Sequence, residues 1–196
     1  HGMQGTPYIF QGEELGMTNI KLPLEKYVDV EIHNLFRDRT AEGYSPEAVM
    51  ESIWKRGRDN ARTPMQWTAG ENAGFTTGKP WVPVNPNYPQ INAEAALADE
   101  NSVFHYYRKL IELRKTIPEF RHGRFYLLNS SDERVFAYTR DTRNGHMLVV
   151  CNFSADFVDY DIPESFHGCE YLIGNYPPDH YARLRPYEAA ILYYTV

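Results

Sequence analysis

The stretch Gly57-Arg58-Asp59-Asn60-Ala61-Arg62-Thr63-Pro64-Met65-Gln66-Trp67 sets two arginines beside an aspartate, then turns at Pro64 into an apolar end. Pro64 biases Thr63 toward extended backbone, so the segment reads as a loop rather than a helix face. A guanidinium presents several donors in a planar fork, which suits neighbouring hydroxyls or a carboxylate that itself holds hydroxyls. Fixed cationic forks, a carboxylate and an aromatic wall are the combination that sugar recognition needs. On residue types alone, a structural Arg–Asp network pinning a long loop is the favoured alternative.

Two carboxylate pairs invite a catalytic reading: Glu13 with Glu14, and Asp29 with Glu31. Cleaving a glycosidic bond with retention takes a nucleophilic carboxylate and a protonated carboxylic acid about 5 Å apart. Adjacent residues on an extended segment point to opposite sides, which makes Glu13 and Glu14 a poor facing couple. Asp29 and Glu31 can share a face, but nothing near them in the sequence marks one for a raised pKa. No catalytic residue is assigned.

Several elements must position these groups. Residues 6–11, rich in aromatic and β-branched types and closed by Gly12, read as a buried strand carrying Glu13 and Glu14 at its end. Residues 45–55 read as a helix opened by Ser45 or Pro46 and closed by Gly57. Residues 63–92 hold many Pro, Gly and Asn and no sustained period; so long a loop is usually functional. Residues 101–116 form the clearest helix, with Val103, Phe104, Tyr107, Leu110 and Ile111 on one face, a cap at Asn101 or Ser102, and Pro118 as its stop. Six short extended runs follow, at 125–128, 135–139, 147–153, 158–162, 170–173 and 189–194. Turn signals at Asn129-Ser130-Ser131-Asp132, Asp141-Thr142-Arg143-Asn144-Gly145 and Ser154-Ala155-Asp156 separate some of them, which predicts an antiparallel sandwich beginning near residue 120.

Longer words surround the arginines. Gln4-Gly5-Thr6-Pro7-Tyr8-Ile9-Phe10-Gln11-Gly12-Glu13-Glu14-Leu15-Gly16-Met17-Thr18-Asn19 precedes them, and Ala73-Gly74-Phe75-Thr76-Thr77-Gly78-Lys79-Pro80-Trp81 and Val84-Asn85-Pro86-Asn87-Tyr88 follow. In this order they resemble the C-terminal portion of the α-amylase-type glycoside hydrolases, in the oligo-1,6-glucosidase and α-glucosidase group. The resemblance covers nearly the whole chain. It implies an α+β arrangement: the last strand, long loop and closing helix of a (β/α)8 barrel, followed by an antiparallel C-terminal β-sandwich. Residues 1–119 would be the barrel remnant and 120–196 the sandwich. Residues 6–11 would be barrel strand eight and 13–98 an enlarged loop overhanging the substrate at the C-terminal ends of the strands.

The resemblance also assigns roles. The family's nucleophilic Asp, acid Glu and His-Asp pair lie on strands before His1, so this chain alone is expected to cleave nothing. Arg62 matches the arginine that holds the 3- and 4-hydroxyls of the terminal glucose, against an arginine merely packed on its loop. Glu31 matches a carboxylate near the second sugar, with a solvated helix-start acid as the equal alternative. Arg58 is the third binding candidate, although an ion pair with Asp59 or Glu31 explains it as well. Glu13 and Glu14 fit a rim-holding role, and Trp54, Trp67 and Trp81 read first as packing. Arg62→Ala in the whole protein is expected to cut turnover while leaving the melting temperature nearly unchanged. Thr68 stands where relatives usually carry Asp, a change expected to affect a turn or ion pair, and the run Lys21–Leu24 is shorter than its counterpart.

The implied activity is exo-acting α-glucosidase chemistry on α-1,6-linked isomalto-oligosaccharides. Within the family the alternatives are α-1,4-glucosidase, glucan 1,6-α-glucosidase and trehalose-6-phosphate hydrolase. A non-catalytic carbohydrate-binding or transporter-subunit module is the alternative of another class. No cofactor or metal is implied. The expected partners are an oligosaccharide and upstream barrel residues of the same protein, with self-association the expected failure of an exposed remnant.

Composition agrees with a folded domain: 196 residues, 42% hydrophobic and 23% charged, argue against disorder. A net charge of -6 without a basic face excludes a nucleic-acid partner. No apolar run approaches the roughly 20 residues that span a bilayer, so no membrane role is expected. Fifteen Tyr and three Trp suit sugar-facing surfaces, though a Tyr-rich core explains most of them. Cys151 and Cys169 are too far apart for a redox or zinc pair, and Cys151 lies in a buried-strand pattern. Reduced thiols point to the cytoplasm. The chain opens on His1 in mid-pattern, so the lack of a leader carries no information.

Overall fold

The computed structural model describes residues 1–128, 132–178 and 182–196. The expected turn at Asn129-Ser130-Ser131 lies outside the described residues. The chain forms two compact units, Ile9–Tyr106 and a second made of His1–Tyr8 with Tyr107–Val196.

In the first unit, helices α1 (Val30–Ala41) and α2 (Pro46–Arg56) pack together. Asp29 caps α1 by accepting the Glu31 N–H at 3.0 Å, and Ser45 caps α2 by accepting that of Ala48 at 3.2 Å. Pro46 occupies the first turn, where its missing N–H costs nothing, and Gly57 follows the last. Tyr27, Ile32, Val49 and Ile53 form the buried centre, with Leu22, Phe36, Met50 and Trp54 packed on it. Helix α2 follows the expected span. Helix α1 was not anticipated: its apolar stripe is thin, and Ile32 is its sole buried residue.

Beyond Thr63 the backbone is irregular until α3 (Ala93–Ala98), as the Pro, Gly and Asn content predicts. Amide side chains hold it. Buried Gln66 donates from Nε2 to Asn87 Oδ1 at 3.1 Å and to the Ile91 carbonyl, while its backbone carbonyl accepts from Ala93 N at 2.9 Å. Asn85 and Asn87 reach back to Thr18, each at 2.9 Å. Thr68 makes a turn, its hydroxyl accepting from Gly70 N at 3.1 Å.

Residues 6–11 correct one expectation. They form no strand, and they are exposed, Tyr8 by 88% and Phe10 by 54%. A strand needs ladder partners on its edges, and no described segment supplies them. The strand predicted here is therefore absent from the described structure, while the predicted helix and the long irregular segment are both present. Trp67 and Trp81 correct another: both are exposed, and only Trp54 packs, donating from Nε1 to the Leu22 carbonyl at 2.9 Å.

The second unit is built on a five-stranded antiparallel sheet ordered β1-β2-β3-β7-β5. Its strands are β1 (Arg124–Leu128), β2 (Val135–Asp141), β3 (Gly145–Asn152), β5 (Glu170–Gly174) and β7 (Ala189–Thr195). A two-stranded ribbon, β4 (Val158–Asp159) with β6 (Arg183–Leu184), forms the second layer. Between them Val135, Ala137, Val150 and Ala190 pack on Val158 and Leu184, and Leu148 and Leu192 pack on Ile162 and Phe166. The short helix α5 (Pro118–His122) packs on β2 and β3. Both faces of β3 are buried, which explains the unbroken apolar run Met147–Val150. Five of the six predicted strands are found close to their expected bounds, the run at 158–162 is reduced to Val158–Asp159, and β6 is an addition too short to read by periodicity.

Helix α4 (Val103–Thr116) ends before Pro118, which opens α5. Arg114 from α4 donates to the carbonyls of His1 at 3.1 Å, Phe120 at 3.1 Å and Gly5. Fully buried Arg140 donates to those of Gly2 and Gly123, both at 2.8 Å. Two guanidiniums thus fasten the opening residues to the sheet unit.

Candidate substrate-binding site

A single turn of 3-10 helix, Arg58–Arg62, carries both arginines and Asp59. Arg58 grips Asp29 with its fork, Nε to Oδ2 at 2.8 Å and Nη2 to Oδ1 at 3.0 Å. Arg62 Nη1 donates to Asp59 Oδ1 at 2.8 Å and to Asp29 Oδ2 at 3.2 Å. Asp59 is fully buried, and its second oxygen accepts the backbone N–H groups of Val28 at 2.8 Å and Asp29 at 3.1 Å. Glu31 Oε2 stands 3.5 Å from Arg58 Nη2.

All three predicted binding residues therefore meet around Asp29. Of the two ion-pair partners expected for Arg58, Glu31 is found and Asp59 is not: Asp59 serves Arg62, and Arg58 grips Asp29 as well. The i,i+3 spacing of Asp59 and Arg62 in one helical turn was the available signal. Asp29, considered only as half of a catalytic pair, is the hub of the cluster. The Arg58 hydrogen bonds hold its carboxyl below the usual carboxylate range, with the Glu31 N–H adding to the effect and burial opposing it. Held ionised, and with both oxygens taken up by Arg58, Arg62 and the Glu31 N–H, Asp29 is not placed to donate a proton as a general acid. Glu14 bonds the Gly12 N–H at 2.8 Å, a local turn contact.

The arginines differ in what remains available. Arg62 is 37% exposed, and its Nε and Nη2 donors bond no described residue. Arg58 is more exposed and lines two open clefts. One runs along Phe10, Glu13, Asn19, Lys55 and Asn60; the other is bounded by Asp29, Glu31, Ser52 and Arg56. Glu31 faces the second, and Arg62 lines neither. The cluster can thus offer planar donors to hydroxyls at Arg62 and a carboxylate acceptor at Glu31.

Comparison with known proteins gives this cluster its setting. The chain is 50% identical to the oligo-1,6-glucosidase of Parageobacillus thermoglucosidasius over 97% of its own length and 36% of the relative's. It is 43% identical to the trehalose-6-phosphate hydrolase of Bacillus subtilis (strain 168), again over 97% of this chain and 36% of that one. The solved trehalose-6-phosphate hydrolase of Bacillus licheniformis superposes with a TM-score of 0.92 at 39% identity, covering 100% of this chain and 37% of that one. The chain therefore spans about a third of the length of these relatives. The family model for the alpha amylase catalytic domain matches residues 1–123, more than half of the sequence. The chain belongs to the alpha-amylase family.

Proposed function

We propose that this chain is the C-terminal part of an exo-acting retaining α-glucosidase that releases glucose from α-1,6-linked isomalto-oligosaccharides. In this reading it supplies substrate-binding groups, and carboxylates encoded elsewhere in the whole protein break the bond. Residues 1–119 belong to the catalytic barrel and 120–196 to the sandwich, an assignment supported by the span of the family match. The observation carrying the site is an arginine anchored by a fully buried carboxylate, with two donor nitrogens that bond nothing among the described residues. Such a fork is already oriented, so little freedom is lost when it grips the 3- and 4-hydroxyls of the terminal glucose. Glu31 then accepts from the second sugar, and Arg58 holds Glu31 and Asp29 in place. The α-1,6 preference rests on the relative at 50% identity being an oligo-1,6-glucosidase. A trehalose-6-phosphate hydrolase is the second reading, favoured by the relatives of that name. A cytoplasmic setting suits the two free thiols.

The test is Arg62→Lys in the whole protein, assayed on isomaltose, maltose and trehalose-6-phosphate. Lysine keeps a cation for Asp59 but loses the fork, so kcat/KM on the preferred substrate should fall roughly 10- to 150-fold, the equivalent of about 1.5–3 kcal/mol of charge-assisted hydrogen bonding. Unchanged kcat/KM removes Arg62 from the substrate site. A whole protein that turns over none of the three substrates favours the non-catalytic module.

A further inference from the structure

We propose that Phe153 and Tyr187 form a carbohydrate-binding platform on the sheet unit, taking the neutral hexose rings of an oligosaccharide by stacking. This reading goes beyond the Arg62 cluster and does not depend on it. Phe153 is 69% exposed, Tyr187 62% and Phe157 53%. Single exposed rings are ordinary, but three on adjoining turns make a patch that calls for a ligand.

One buried side chain builds the patch. Asn152 donates from Nδ2 to the carbonyls of Asp156 at 2.7 Å and Arg185 at 2.9 Å, and its backbone N–H bonds the Glu188 carbonyl at 2.8 Å. It therefore ties the turn after β3 to the turn before β7. Tyr187 N then donates to Ser154 O at 3.0 Å, which sets Tyr187 beside Phe153. Arg183 covers one face of the neighbouring Phe157 ring, 4.8 Å from its centroid.

Tyr187 is held at φ +54°, in the left-handed region that bulky residues avoid. Such strain persists only where the surroundings impose it, and here the Ser154 contact and the bond from Asn175 Nδ2 to Tyr187 O at 2.8 Å do so. Most of the ring faces solvent. A glycine would adopt the same turn without strain, so Tyr187→Gly removes the ring without adding a backbone cost.

Charge decides the class of ligand. Around the patch Arg134 faces Asp132 and Asp156, Arg183 faces Asp159 at 3.5 Å, and Arg185 is forked onto Glu188 at 2.9 Å and 3.1 Å. Each of these cations meets a carboxylate, leaving no attraction for nucleic acid or an anionic membrane. Exposed rings amid neutralised charges and backbone polar groups suit a ligand with an apolar face and a hydroxylated edge. A hexose has both. A second hold on the same chain would raise the effective concentration of sugar ends near the protein.

Calorimetric titration of the 196-residue chain with isomaltoheptaose, and separately with maltoheptaose, tests the platform. Binding of at least one glucan with Kd on the order of 1 mM is expected. Tyr187→Gly and Phe153→Ser should each weaken it about tenfold, as loss of an anchoring ring does. Tyr187→Gly should also leave Tm unchanged or raise it, which separates loss of the ring from loss of the fold even if Phe153→Ser misfolds. Arg62→Lys, titrated in parallel, should retain the Phe153- and Tyr187-dependent binding whether or not the proposed hydrolase activity holds. Absence of binding to either glucan, or equal binding by Tyr187→Gly, overturns the proposal. So does self-association that Tyr187→Gly abolishes while sugar binding stays intact, because the patch would then be a contact between copies.

Discussion

Asp29 performs three tasks with one carboxylate: it caps α1, receives the fork of Arg58, and shares Arg62 with Asp59. Its folded-state pKa lies below the ordinary value, chiefly through Arg58. A depressed acid contributes stability at pH values above its unfolded pKa, about 3.9, and loses that contribution as pH falls through the folded value. Asp29→Asn should therefore lower stability at pH 7 by about 1–3 kcal/mol, the range of charge-assisted hydrogen bonds. The gap from wild type should narrow as pH falls below about 4, and thermal melts across pH 3–7 would reveal a gap that fails to narrow. The Arg58–Glu31 pair differs, since both side chains are mostly exposed and such pairs are worth about 0–1 kcal/mol. Glu31 can therefore change partner at little cost, as a substrate ligand must. Arg62 carries a double duty that its sequence context did not reveal. Removing its side chain strips the counterion from buried Asp59, so Arg62→Ala should lose stability along with any activity, contrary to the sequence-based expectation.

At the scale of elements, the long irregular segment shows how order arises without a ladder. Asn92 caps α3 by accepting from Ala95 N at 2.8 Å and returns its amide to the Tyr88 carbonyl at 2.8 Å. It is almost fully buried, so neither bond can be replaced freely by water. Asn92→Ala should cost about 1–2 kcal/mol, and chemical denaturation of the chain measures it. Neither α3 nor its cap was anticipated from the sequence, and the second bond exists only because the folded loop brings Tyr88 beside Asn92. Strand runs such as Met147–Val150 were legible from composition alone. Helix α1 was not, since its polar residues outnumber the few that touch the α2 core.

For the molecule as a whole, Gly2 marks how the first residues are tied to the sheet unit. A Cβ there would stand 2.8 Å from Tyr138 Oη and 3.0 Å from Val149 Cγ2. Arg140 and Arg114 fasten the surrounding carbonyls, which leaves the backbone little room to withdraw. Gly2→Val should destabilise the unit by about 1–3 kcal/mol, the usual cost of overpacking. Calorimetry of the chain tests this, and an unchanged transition would mean that the clasp yields readily. Among the described residues no carboxylate pairs with buried Arg140, and desolvation pulls its pKa down from the usual arginine value. Its hydrogen bonds to Gly2 and Gly123 offset part of the burial cost, an arrangement that fits a clasp better than a simple core residue.

Family membership and the run of short strands could be read from motifs and patterning, because each depends on neighbours close in the chain, and the binding candidates followed from the family resemblance. Which carboxylate each arginine holds could not be read that way. Asp29 lies 29 residues from Arg58, and only the folded path from α1 to the 3-10 turn brings them together. Residues 6–11 carry the same limit in reverse: their composition favours a strand, yet a strand exists only where partners align along its edges. The left-handed backbone of Tyr187 and the outward placement of its ring likewise follow from Asn152 binding two turns at once. Local chemistry chose the groups, and long-range packing decided which of them remain available to a ligand.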